Sequence, residues 1–170
     1  MLSRISLRFC FIHFLAAYCL IYAFHYLHYT LYADFIWNYS AAGFDGITSA
    51  QEISYILLLD GLLPQIGLLI AFILSLILAL RKKIWWVNAL LVFIVAGILE
   101  YFRLLGWEYA NNIFVYTIGW INKTGWVRGY RVYYALTMLV LLAATLWLYF
   151  SKTTNRFIIK ANKPVIFPAP

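Results

Sequence analysis

Four apolar segments constrain this chain more than any other feature: Phe9 to Tyr29, Asp60 to Leu80, Ile84 to Leu99 with a polar end reaching 102, and Val132 to Phe150. Each is about long enough as a helix, at ~1.5 Å of rise per residue, to cross a hydrocarbon layer of ~30 Å. Backbone groups in hydrocarbon must satisfy one another within the segment, so helices are the expected element. The composition, 65% hydrophobic and 11% charged, is more apolar than a water-soluble fold of 170 residues tolerates. The expectation is an all-α fold: one four-helix membrane domain over 1–170, with spans of about 9–29, 60–80, 84–102 and 132–150. The outer connections would cover 30–59 and 103–131, and the tail 151–170.

Charge sets the expected orientation. Arg4 and Arg8 precede the first segment, Arg81, Lys82 and Lys83 separate the second from the third, and Lys152, Arg156, Lys160 and Lys163 follow the fourth, with no acid among them. The connection from Thr30 to Leu59 holds Asp34, Asp45 and Glu52 without a Lys or Arg. By the positive-inside rule both termini face the cytoplasm, and the bacterial inner membrane is the default location. The formal charge of +7 is then an orientation charge facing the lipid bilayer, and nucleic acid is not expected as a partner.

Arg4, Arg8 and the apolar run behind them resemble a secretory leader, but the run continues for about twenty residues and no small-x-small site closes it, so a spanning helix is the better reading. Cys10 and Cys19 lie in that one helix, about 13 Å apart along its axis, too far for a disulfide. Both read as small buried hydrophobes.

In the first outer connection, Trp37, Tyr39, Gly43, Phe44 and Gly46 read as an aromatic, glycine-rich turn region. Ser49-Ala50-Gln51-Glu52 is a capping box announcing the second helix. From Ser49 to Leu80 that helix would measure about 48 Å, more than the hydrocarbon needs. Pro64 offers a bend, since it cannot donate to the carbonyl of Asp60 and its ring crowds it. Between the third and fourth segments, Ile113 to Ile121 is too short to cross and is flanked by tryptophans, which suits an interfacial or re-entrant segment. Asn38-Tyr39-Ser40 and Asn122-Lys123-Thr124 are glycosylation sequons on the outer side.

The strongest functional signal comes from depth. His25, Asp60, Glu100 and Arg103 all fall about 24 to 30 Å from the cytoplasmic edge of their segments. His28 is one turn from His25 on the same face, Arg103 stands likewise to Glu100, and Arg131 enters the fourth helix at similar height. Two readings follow. These side chains either snorkel at the outer interface or converge into a polar pocket open to the outside. A metal site would draw on His25 and His28 with one carboxylate, a weak pattern without a third histidine nearby. Haem between two helices would need a second subunit, because all the histidines, His13 included, belong to one helix. Ser40 and Ser54, the serines nearest the layer, lack a nucleophile context.

Tyr18, Tyr22, Tyr26 and Tyr29 share a helical face that reads as a packing seam, or as the wall of a quinone or lipid groove. Ala71, Ser75, Ala89, Ala96, Gly97, Ala143 and Ala144 mark close helix packing, with the third helix crossing a neighbour near Ala96-Gly97. No nucleotide or cofactor motif is present. The leading expectation is a small accessory or structural subunit, with other membrane proteins or further copies of itself as partners. The alternatives are an oligomeric transporter or channel using the outer polar layer, and an enzyme acting on lipid or quinone at the outer interface.

Overall fold

The computed structural model describes residues 5–42, 50–102, 104 and 130–160, and these contain five helices and no strand. They are α1 (Leu7–Ala42), α2 (Ala50–Arg81), α3 (Val87–Tyr101), α4 (Tyr130–Phe150) and α5 (Lys152–Lys160). Two stretches are long and apolar enough to cross a membrane: Leu7–Leu31 of α1 and Gly61–Arg81 of α2. The paired stretch Tyr134–Phe150 and Lys152–Ile159 meets the same criterion only when taken together across a 45° bend.

α1 is longer than the first apolar segment. From Leu7 to Ala42 the sequence has neither glycine nor proline, so nothing interrupts the hydrogen-bond ladder until Gly43. The aromatic turn expected around Trp37 and Tyr39 is therefore helical backbone as far as Ala42. The remainder of that turn region lies outside the described residues, as do Asn122-Lys123-Thr124 and Ile113 to Ile121.

α2 begins one residue after Ser49, where the capping box puts it, and its 32 residues run through Pro64 as one element. It ends in a Schellman motif. The Ile84 amide donates to the Ala79 carbonyl at 2.9 Å and the Lys83 amide to the Leu80 carbonyl at 3.1 Å, with Lys83 left-handed at φ 55°. Ile84 and Ala79, the hydrophobic pair that accompanies such a cap, are buried in one cluster. A lysine where glycine is usual costs roughly 1 kcal/mol of backbone strain. This cap consumes the start of the third apolar segment, so α3 begins at Val87 and has 15 residues, about 22 Å, fewer than the expected 84–102.

α1 is the central helix and packs against all four others. Ala17, Leu20, Ile21, Tyr22 and Tyr26 meet Leu68 and Ala71 of α2 and Val92 and Ala96 of α3. The tyrosine face is a packing seam: Tyr22 and Tyr26 are buried, and Tyr134 of α4 lies 6.0 Å from Tyr26 and 5.2 Å from Tyr29 between ring centroids. The crossing near Gly97 is also present, with Leu68 Cδ2 3.4 Å from where a Cβ would stand.

Within the tail expected at 151–170, residues 152–160 form a helix. The Ser151 amide closes α4 on the Trp147 carbonyl, and its hydroxyl accepts the Thr154 amide at 3.1 Å, capping α5. Thr154 and Ile158 turn inward, Ile158 joining Phe9, Ala79, Ile84 and Ala89. Arg8 fastens the outer face, its guanidinium 4.7 Å above the Phe157 ring.

Candidate functional site

Two groups of described polar side chains stand at different depths within the bundle. His25, His28 and Glu100 form the outer level, and each is buried, at 8%, 2% and 7% exposure. Aromatic rings pack around the histidines: Tyr29 is 4.5 Å from His25 and 5.8 Å from His28 between ring centroids. Tyr18 and Tyr22 are hydrogen-bonded, with ring centroids 4.6 Å apart, and Glu100 lies near Tyr22. Glu100 of α3 thus faces the tyrosine seam of α1.

The other residues expected at this level are placed less fully. Asp60 and Arg131 belong to the backbones of α2 and α4, but their side chains, and Arg103 altogether, lie outside the described residues. Among the described residues, no three His, Cys, Asp or Glu side chains come together as metal ligands would. Cys10 and Cys19 are free thiols.

The inner level is one that segment-by-segment reading passes over. His13 Nδ1 and Ser75 Oγ are 2.9 Å apart, Ser75 Oγ and the Tyr149 hydroxyl 3.3 Å, and Tyr149 donates to the Ala71 carbonyl at 3.2 Å. Three helices contribute to this chain. His13 and Ser75 are fully buried, Phe9 stacks on His13 at 3.7 Å, and the Tyr149 ring meets its edge at 5.1 Å. Depth counting finds it: His13 lies five residues beyond Arg8 and Ser75 six before Arg81, so both stand about 8 to 9 Å above the same ring of cations.

The proton positions in this chain follow from its end. Tyr149 has one proton, and Ala71 accepts it. Ser75 can then donate to Tyr149 only if His13 Nδ1 carries a proton and donates to Ser75, which leaves Nε2 as an acceptor. A serine beside a histidine is also nucleophile-and-base geometry. Here both are sealed from solvent, and the serine proton is spent on Tyr149.

Below this level Asn88 ties the start of α1 to the turn before α3. Its Oδ1 accepts the Ser6 amide at 2.8 Å, and its Nδ2 donates to the Trp85 carbonyl at 2.7 Å. The Lys82 ammonium, by contrast, is buried without a hydrogen-bond partner, and burial pushes it below its ordinary value of 10.5. The folded state then holds this proton less firmly than the unfolded state, so the penalty is full below the folded value and is relieved as pH rises toward 10.5. Lys82→Met is expected to raise the melting temperature in detergent at pH 7 and to flatten its rise as pH climbs toward 10.5. An unchanged pH profile would show that the ammonium reaches water.

No family model, curated protein or solved structure matches this chain.

Proposed function

We propose that this chain is a four-span membrane protein with both termini cytoplasmic, serving as an accessory subunit of a larger assembly in the bacterial inner membrane. Orientation rests on the cations flanking the apolar segments. The subunit reading rests on one observation: the described polar side chains within the apolar segments, Gln65 excepted, turn inward, with His13, Ser75 and Tyr149 bonded to one another, while the outward faces of α2, α3 and α4 are almost wholly Leu, Ile, Val and aromatic. Such a body offers packing surfaces to lipid and neighbouring helices, and its cytoplasmic cations attract anionic headgroups.

A second reading is supported by the burial of Glu100 with His25 and His28, since an ionisable group within a span is a functional-site hypothesis by default. There the outer level would bind or relay a cation or proton in an oligomer. One experiment separates the two: extraction in mild detergent followed by mass spectrometry of whatever stays bound. Other proteins at fixed stoichiometry are the expected result. A self-assembly carrying only lipid or ions would favour the second reading and make Glu100→Gln the next variant.

A further inference from the structure

One exposed side chain breaks the apolar exterior. Among the described residues of 9–31, 58–80, 87–100 and 132–150, Gln65 is the only exposed one that is neither apolar nor aromatic, glycine apart. It stands 16 residues before Arg81, about 24 Å up α2, inside the outer part of a ~30 Å hydrocarbon layer. An amide there has no water to bond, and lipid tails offer it nothing. Its neighbours on the exposed face are Leu58, Leu62 and Leu69, giving positions 58, 62, 65 and 69, the spacing of a helix-pairing seam. Gly61 is one turn from Gln65, and nothing lies within 4 Å of where its Cβ would be.

We infer that α2 pairs with α2 of a second copy of this chain, Gln65 opposite Gln65. The inference rests on the four-span reading. Two copies inserted under the same charge rule are parallel, so the two-fold axis relating them runs along the membrane normal. A residue on the facing seam of one copy then meets its own counterpart at equal depth. An amide suits that position better than any other polar side chain, because its NH2 donates and its carbonyl accepts, so two glutamines satisfy each other reciprocally. The absence of a side chain at Gly61 lets the two backbones approach on the same face, as small residues do at helix pairs in lipid. Leu58, Leu62 and Leu69 fill the seam on either side.

The test uses the full chain in proteoliposomes, with Cys10 and Cys19 replaced by serine and a single cysteine introduced. Gln65→Cys should form a disulfide-linked dimer under mild oxidation, since the Cα atoms on the axis fall within about 7 Å. Val140→Cys, on the exposed face of α4, should not. In the otherwise native chain, Gln65→Leu should weaken dimerisation about tenfold by subunit-exchange fluorescence while leaving the melting temperature of the monomer unchanged or higher. Gly61→Leu should weaken it as well. Equal cross-linking at 65 and 140, or a dimer unaffected by Gln65→Leu, would overturn the inference. So would cross-linking of Gln65→Cys only to a different protein. Protease protection of both termini in the same vesicles reads the four-span topology separately, so a mis-inserted chain and an inserted but unpaired one are told apart.

Discussion

Gly67→Leu is expected to cost about 3 kcal/mol and to leave little folded protein in detergent extracts. The position lies where α2 crosses α1. A Cβ there would stand 3.1 Å from the Leu20 carbonyl oxygen, 3.2 Å from Ile21 Cα and 3.2 Å from Phe24 Cδ2. Two of those atoms are backbone of the central helix, which cannot yield without lifting Leu20 and Ile21 from the core they share with Leu68 and Ala71. Alanine is the instructive intermediate. Its single methyl meets the same atoms, but replacing glycine within a helix returns close to ~1 kcal/mol of propensity, so Gly67→Ala should fall near neutral. Gly61→Leu supplies the contrast within the same helix, because nothing surrounds that position within 4 Å and the monomer should keep its melting temperature. The measurement is fluorescence-detected thermal unfolding of the three variants. Equal loss at 61 and 67 would mean that α2 tolerates leucine at neither site for reasons of its own, and not because of contact with α1.

Hydropathy and charge carried the reading of element type a long way. The apolar runs gave α1, α2 and α4 their places, and α2 is helical from Ala50, within the capping box that announces it. What the runs could not give was termination, which depends on local backbone chemistry. Apolarity fades after Tyr29, yet α1 continues because nothing up to Ala42 breaks a helix. Conversely, apolarity resumes at Ile84, yet α3 waits until Val87 because Ile84 is occupied as the hydrophobic partner of a Schellman cap. The missed α5 has a different cause. Its inward side chains, Thr154 and Ile158, are too few and too polar to stand out against a basic tail, and Ser151 was legible as an N-cap only once α4 was known to end before it.

His25, His28 and Glu100 were legible because ionisable side chains are conspicuous in apolar sequence. Burial was not, since depth along a segment says nothing about which way a side chain faces. His25 and His28 are buried because α1 packs against all four other helices, and Glu100 of α3 is buried where α3 meets α1. The inner level was hidden for the opposite reason. Ser75 reads as one more small packing residue, and nothing in the sequence singles out Tyr149. Only the equal depth of His13 and Ser75 hints that a hydroxyl stands ready for the imidazole.

That inner chain leads to the second large effect: Ser75→Ala is expected to cost about 1–3 kcal/mol, the penalty of stranding a buried donor. Ser75 is the shared member. Its loss removes the acceptor of the His13 Nδ1 proton and one of the two contacts of the Tyr149 hydroxyl, and all three groups are buried. Tyr149→Phe should cost less, about 1 kcal/mol. In that variant Ser75 can turn its proton to Nδ1 once His13 moves its own to Nε2, and the Ala71 carbonyl still has its place in the ladder of α2. His13→Leu combined with Ser75→Ala distinguishes a polar network from simple packing. If the network is the cause, removing both partners leaves no stranded donor, and the double variant should be more stable than the sum of the single losses by about 1 kcal/mol or more. Thermal unfolding of the four proteins in one detergent gives the coupling. Additive losses would mean that His13 and Ser75 contribute as volume alone, and the hydrogen bond between them would then add nothing to the fold.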